Sequence, residues 1–239
     1  MNTVYENFIR VYDDVVDESF CSSLIERYEQ VLLTDADKVK SLSLCYDTDG
    51  NKLCDLCNCT RMNTMEHDAF SHDNKILLRA FYNSIRNYIY DCKITKEMID
   101  KNPDNWGWEE FKIKRYRCAE GSSEDEQFKP HVDVRSHAAA KRYLIAMLYL
   151  NDDFSAGYTK FPMYNIDIKP KTGRMVLFPP MWTHLHLAEP PLEGYAKYVC
   201  MTYLNYADIT KVDYSKNPTL GEAYLPGHSS AAAKTLSHT

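Results

Sequence analysis

Lys129-Pro130-His131-Val132-Asp133 and His184-Leu185-His186 carry the residue types from which a metal centre is built. In an extended strand, residues two apart share a face, so His131 and Asp133 offer an imidazole and a carboxylate to one side while Val132 packs behind them. One further histidine completes a facial set of two histidines and one carboxylate. On an octahedral ion that set leaves three adjacent positions open, the arrangement of non-haem Fe(II) oxygenases. The short motif is a weak signal by itself: 8 His and 34 acidic residues among 239 supply about one His-x-acid pair by chance. The bland alternative is a solvated strand end. His184 and His186 also lie two apart, so strand parity leaves both open as the third ligand.

Such a site needs rigid elements around it. Phe8 to Tyr12 reads as a short strand, and a helix is expected from about Asp17 to Leu33, with Phe20, Leu24, Ile25, Tyr28 and Leu32 at helical spacing and Asp17 or Ser19 as cap. Residues 34–72 are polar and aperiodic, a long loop. A second amphipathic helix is expected from about Asp73 to Tyr90, burying Ile76, Leu77, Ala80, Phe81, Ile85, Tyr88 and Ile89. After Trp106-Gly107-Trp108 the pattern turns to β, with strands at Phe111–Tyr116, Tyr143–Leu150, Arg174–Phe178 and Tyr198–Tyr206 between turn residues. Helices first and strands second imply an α+β fold with helices against a β core. The expected organisation is one domain over residues 1–225, with 1–110 as mainly helical support, 111–207 as the catalytic part and 226–239 as a disordered tail.

The net charge of −6 argues against non-specific nucleic-acid binding or attachment to an anionic membrane, and no window approaches 18 apolar residues. The N-terminus lacks the pattern of a secretory signal, so a cytoplasmic protein with reduced thiols is expected. The dense group Cys54, Cys57 and Cys59 would bind zinc if Cys45, His67 or His72 joined it; the alternative is a polar loop with three thiols. Residues 119–127 and 135–141 flank the candidate ligands and are either lids or ordinary solvated loops.

From about Phe111 to Tyr206 the chain resembles the prolyl 4-hydroxylase-like Fe(II)/2-oxoglutarate dioxygenases. The matching pieces, in order, are Tyr116, Phe128-Lys129-Pro130-His131-Val132-Asp133, Leu148-Tyr149-Leu150-Asn151-Asp152 and Gly157-Tyr158-Thr159-Lys160-Phe161-Pro162. They continue with Lys169 to Pro179, then Trp182 to Pro191, Gly194 and Lys197-Tyr198. The chain departs from the family at Ala156, where many relatives carry a first glycine, at Phe128, where a tyrosine is usual, and in a segment between His186 and Lys197 that is one residue longer.

The resemblance implies a double-stranded β-helix, or jelly roll, buttressed by the N-terminal helices. It makes His131, Asp133 and His186 the iron ligands, because only His186 has Pro190 four residues on and Gly194 eight on; His184 would then lie one pleat further out, near the mouth of the barrel, supporting the ligands from behind or facing substrate, or as an exposed histidine without a role. Lys197 becomes the cation for the far carboxylate of 2-oxoglutarate, with Tyr116 and Thr159 beside the co-substrate, and a carboxylate buried there needs a charged partner. The implied cofactors are Fe(II), 2-oxoglutarate and O2, with ascorbate as reductant. The implied reaction is hydroxylation of a C–H bond, since Asp133 holds the position that halogenating relatives leave for chloride, and the leading substrate is a prolyl residue in a peptide or protein. The alternatives are a free amino acid or other small molecule, or a metal-binding jelly roll without catalysis.

Overall fold

The computed structural model describes residues 3–4, 7–35, 40–41, 45–46, 52–54, 57, 59–99, 106–118 and 126–206. The acidic segment 119–125 and the expected tail at 226–239 lie outside them. All strand pairs are antiparallel. The main sheet runs in the spatial order Thr3–Val4, Arg10–Tyr12, Met175–Phe178, Arg142–Tyr149, Lys197–Tyr206, Lys112–Tyr116, Thr60–Asn63 and Lys40–Ser41, with Trp106–Trp108 also paired to Lys197–Tyr206. A smaller sheet runs Ile166–Ile168, Thr159–Phe161, His186–Ala188 and Phe128–His131. Two short strands, Phe154–Ala156 and Pro191–Gly194, pair with each other.

Strand parity divides the main sheet into two buried faces. Leu144, Ala146 and Leu148, with Met175, Leu177, Cys200 and Leu204, pack against the helices. Their neighbours Ile145, Met147, Tyr149, Val176, Phe178, Val199, Met201 and Tyr203 fill the space between the two sheets, together with Phe161 and Ile168 of the smaller one. This is why the central strands read as unbroken apolar runs and not as an alternation. Two sheets closing over one interior, with helices on the outer face, is the expected jelly roll in an α+β fold.

Helix α1 spans Glu18–Thr34 and buries Cys21, Leu24, Tyr28 and Val31. Asp17 stands at its N-cap, where its backbone carbonyl takes the Phe20 and Cys21 amides while its side chain makes no capping bond. Helix α2 spans Ser71–Asp91. Its buried face is Leu77, Leu78, Phe81, Ile85 and Tyr88, with Asp73, Asn74 and Ser84; Ile76, expected inside, is 36% exposed. The face is turned because Asp73 reaches Arg27 of α1 at 2.7 Å and Asn74 bonds Thr64, so paired polar residues occupy part of the inner stripe. Helix α1 is pinned to the sheet through Glu29, which accepts from Tyr198 Oη at 2.6 Å and from Arg115 at 3.1 Å. The expected loop over 34–72 is instead partly structured: Thr60–Asn63 pairs with Lys112–Tyr116, and two 3-10 turns lead into α2.

Phe81 is fully buried with its ring centroid 5.1 Å from that of Phe111. Phe81→Ala should cost about 3 to 5 kcal/mol in urea unfolding, whereas Ile76→Ala should cost about 0.5 kcal/mol or less.

Candidate metal and co-substrate site

His131 ends one strand of the smaller sheet and His186 begins the neighbouring one, and the two face each other across the antiparallel pair. Asp133 follows in a turn held by two bonds from the Asp133 and Val134 amides to the Pro180 carbonyl, each 3.0 Å. These three side chains bring one ligand atom each within 4.8 Å of one another, and among the described residues no other group of His, Cys, Asp or Glu does so. The Nε2 atoms of His131 and His186 lie 3.7 Å and 3.5 Å from the two Asp133 oxygens.

The hydrogen bonds behind the imidazoles decide what those nitrogens present. His131 Nδ1 lies 2.8 Å from the Lys129 carbonyl and His186 Nδ1 lies 2.9 Å from the His184 carbonyl. A carbonyl only accepts, so each Nδ1 carries the proton and each Nε2 points a lone pair inward. Burial, and then the neighbouring His186, push His131 down to about 3, so it is neutral throughout the physiological range. Asp133 Oδ1 accepts from Tyr203 Oη at 2.6 Å, while the buried Oδ2 has no hydrogen-bond partner. Lone pairs from two imidazoles and a carboxylate thus meet in a buried space with no donor between them. A cation satisfies all of them at once, and the donor set suits Fe(II).

Deeper between the sheets lies Lys197, 1% exposed. It opposes Tyr116 across the strand pair, and its Nζ stands 5.3 Å from the centre of that ring and 5.9 Å from that of Tyr149. The ammonium donates to the Gly157 carbonyl at 2.5 Å. Burial drives its pKa down from 10.5 to about 7. Glu189, whose charge acts the other way, is itself paired with Lys160 at 2.6 Å. Thr159 is buried beside this group and accepts from Tyr149 Oη at 2.6 Å. The turn that delivers the Gly157 carbonyl has positive φ at both Ala156 and Gly157, and a Cβ at Gly157 would strike the Phe154 ring at 2.6 Å. Ala156 thus takes up a positive φ with its side chain in place, whereas a side chain at 157 has no room.

Residues 111–205 match the model of the 2OG-Fe(II) oxygenase superfamily. The matched stretch is about two fifths of the chain and takes in His131, Asp133, His186 and Lys197. Over 50 residues it is 40% identical to a protein of Acanthamoeba polyphaga mimivirus whose name assigns it as a prolyl 4-hydroxylase; the match covers 21% of this chain and 21% of that protein. Solved structures share the fold at low identity. A collagen prolyl hydroxylase of Paramecium bursaria Chlorella virus-1, in complex with 2OG, superposes with a TM-score of 0.57 at 19% identity, covering 84% of this chain and 97% of that one. A Trichoplax adhaerens prolyl hydroxylase, in complex with a peptide fragment of the hypoxia inducible factor oxygen degradation domain, gives 0.57 at 11% identity and covers 84% of each chain. A Pseudomonas putida prolyl-4-hydroxylase gives 0.53 at 11%, covering 83% and 92%.

Within the matched stretch, His184 lies just before the ligand strand and not on it. The strand begins only at His186, so the parity that would have put the two histidines on one face does not apply. His184 is 4% exposed. Its Nε2 donates to the Asn7 carbonyl at 2.7 Å, and its Nδ1 accepts from Thr183 Oγ1 at 2.8 Å. Both nitrogens are spent on joining the N-terminal segment to the loop before the ligand strand. Residues 135–141 form an exposed 3-10 turn at His137–Ala139, directly after Asp133. The zinc reading of the cysteines finds Cys57 and Cys59 buried together, with His67 packed on Phe70 and His72 exposed; the side chains of Cys45 and Cys54 lie outside the described residues.

The residue missed from the sequence is Tyr203. It lies six positions after Lys197 on the same strand, an even offset that puts both on the inner face, so parity from Lys197 would have found it. Burial and the Asp133 charge push its pKa well above 10, which keeps the proton on the tyrosine and makes it a donor. Arg142 lies 4.0 Å from its ring centre and is itself held by Glu109 at 2.7 and 2.8 Å. Removing the hydroxyl with Tyr203→Phe should weaken Fe(II) or Mn(II) binding by about 10- to 100-fold in a metal titration, the usual effect of losing a hydrogen bond behind a metal ligand.

Proposed function

We propose that this chain is a 2-oxoglutarate-dependent dioxygenase that hydroxylates a C–H bond, with a prolyl residue of a peptide or protein as substrate. One observation carries the reading: a converging triad of two imidazoles and a carboxylate, and a buried lysine without a carboxylate among its described hydrogen-bond partners, line the same interior. His131, Asp133 and His186 would hold Fe(II), and Lys197 would take the far carboxylate of 2-oxoglutarate, with Tyr116 and Thr159 walling the same pocket. When bound, the iron supplies oxygen activation coupled to decarboxylation of the co-substrate to succinate. The protein's own residues set the outcome. The carbonyls of Lys129 and His184 lock both imidazoles in the metal-binding tautomer. Tyr203 fixes the Asp133 carboxylate, and the surrounding apolar side chains keep water from the reacting bond.

The prolyl substrate is supported by the names of the mimivirus relative and of the structural neighbours, one of which is bound to a peptide. In this reading residues 1–225 act as one domain and ascorbate is the reductant. A cytoplasmic setting is supported by the reduced thiols of Cys21, Cys59, Cys92, Cys118 and Cys200. No described helix is long and apolar enough to cross a membrane.

The test is succinate formation with Fe(II), ascorbate and 2-oxoglutarate, with and without proline-containing peptides. Peptide-stimulated succinate and a peptide mass gain of one oxygen are expected; absence of any iron-dependent turnover would leave a metal-binding module. His186→Ala should abolish turnover, whereas His184→Ala should retain a measurable fraction.

Lys197 gives the reading a pH signature. The carboxylate binds the charged lysine, and with a pKa of about 7 in the free protein the charged fraction falls tenfold for each pH unit above that. Affinity for 2-oxoglutarate, measured by calorimetry on Mn(II)-loaded protein, should therefore drop by on the order of 100-fold from pH 7 to 9. Lys197→Met should bind weakly at every pH and show no such slope.

A further inference from the structure

The wall of the co-substrate pocket holds a reactive pair that hydroxylation does not use. Cys57 and Cys59 stand at the entry to the strand Thr60–Asn63, at 2% and 1% exposure, with their Sγ atoms 3.3 Å apart. Both face the space between the two sheets, in the same cluster as Tyr116 and Val199. A disulfide requires about 2.05 Å between the sulfurs, so a shift of little more than 1 Å would join them.

Two physical links run from this dithiol to the site. Tyr116 packs in the same cluster as Cys59, and the ring of that tyrosine lies against Lys197. The Cys57 backbone bridges Phe128, whose ring stacks on His131 at 3.6 Å. The hydrogen bond from Cys57, followed by the charge of Lys114, holds the Cys59 thiol below its ordinary value despite burial.

We propose that Cys57 and Cys59 are a peroxide-oxidisable dithiol whose closure to a disulfide weakens 2-oxoglutarate binding. The Cys59 thiolate attacks one oxygen of hydrogen peroxide, the O–O bond breaks, and the departing hydroxide takes a proton to leave as water. The Cys57 sulfur then attacks the Cys59 sulfenic acid, forming the S–S bond and breaking S–O, and its thiol proton leaves with the hydroxyl as a second water. Both electrons come from the two sulfurs and both reduce the peroxide. Closure changes the packing of Cys59 with Tyr116 and pulls on the backbone bridge to Phe128, so Tyr116 shifts against Lys197 and the ring behind His131 moves. The inference rests on the 2-oxoglutarate reading of the pocket.

The experiment treats metal-free reduced protein carrying Cys54→Ser with hydrogen peroxide, followed by alkylation and mass analysis of the tryptic peptide Leu53–Arg61. The unsubstituted chain is fragmented in parallel to locate the bond. The peptide should lose the mass of two hydrogens, refuse alkylation, and recover both properties with dithiothreitol; Cys59→Ser should not respond. Calorimetry on the Mn(II)-loaded reduced and oxidised forms should show 2-oxoglutarate affinity at least about fivefold weaker in the disulfide form. By linkage, saturating 2-oxoglutarate should shift the dithiol–disulfide equilibrium toward the dithiol by the same factor in a glutathione redox buffer. Thiols that stay open to alkylation after peroxide would overturn the proposal. So would a disulfide form that binds 2-oxoglutarate as tightly as the reduced one, which leaves the functional reading intact. A reduced protein that does not bind 2-oxoglutarate at all would remove both.

Discussion

Three groups that only accept hydrogen bonds at their inward-facing atoms share one buried space, and the rest of the structure is arranged around that constraint. The Nε2 atoms of His131 and His186 and the Oδ2 atom of Asp133 face one another without a donor between them. Left alone, such an arrangement is costly, because a buried unsatisfied polar group costs about 1 to 3 kcal/mol. The fold maintains it through contacts that point outward from the site: two backbone carbonyls behind the imidazoles, the Tyr203 hydroxyl behind Asp133 and the Pro180 carbonyl behind the turn. Each bond fixes an orientation that a free side chain would abandon. The stored cost is returned when a cation enters.

Lys197 poses the opposite problem in the same interior. A positive charge is taken out of water, with a carbonyl and two aromatic faces against it among the described residues, and its pKa falls accordingly. A donor-poor site and an acceptor-poor cation in one enclosed volume define the ligand that satisfies both: a metal ion, chelated at one end by a molecule that carries a carboxylate at the other. The complementarity is electrostatic and needs no large contact area.

The helices serve this interior at one remove. They cover the outer face of the main sheet, so that its strands are apolar on both sides and cannot slip by one residue without burying Lys197 against α1 or exposing Leu144 and Leu148 to the site. The ties of Glu29 to Tyr198 and Arg115 hold α1 against the strand that carries Lys197 and Tyr203. Register in that strand is therefore decided outside the barrel, although its consequence is inside.

Much of this could be read without coordinates. The His131-Val132-Asp133 spacing, the two helices, the four long strands and the place of Lys197 depend on local pattern: period two, period 3.6, and motif order. The smaller sheet was not legible, because strands of three or four residues such as Thr159–Phe161 and Ile166–Ile168 are too short for any period to show. Thr60–Asn63 was read as loop for the same reason; it is a strand only because Lys112–Tyr116 presents it an edge. The choice between His184 and His186 depends on where one strand begins, which is set by pairing with Phe128–His131 and not by the residues themselves. The contact of Cys57 with Cys59 beside Tyr116 likewise belongs to the tertiary structure, since a Cys-x-Cys spacing does not say what lies in front of it. Sequence determined which chemical groups were present and which faces they shared along each strand. Only the folded chain decided which of those faces meet, because pairing between short strands is paid for by burial across the whole sheet and leaves no local trace.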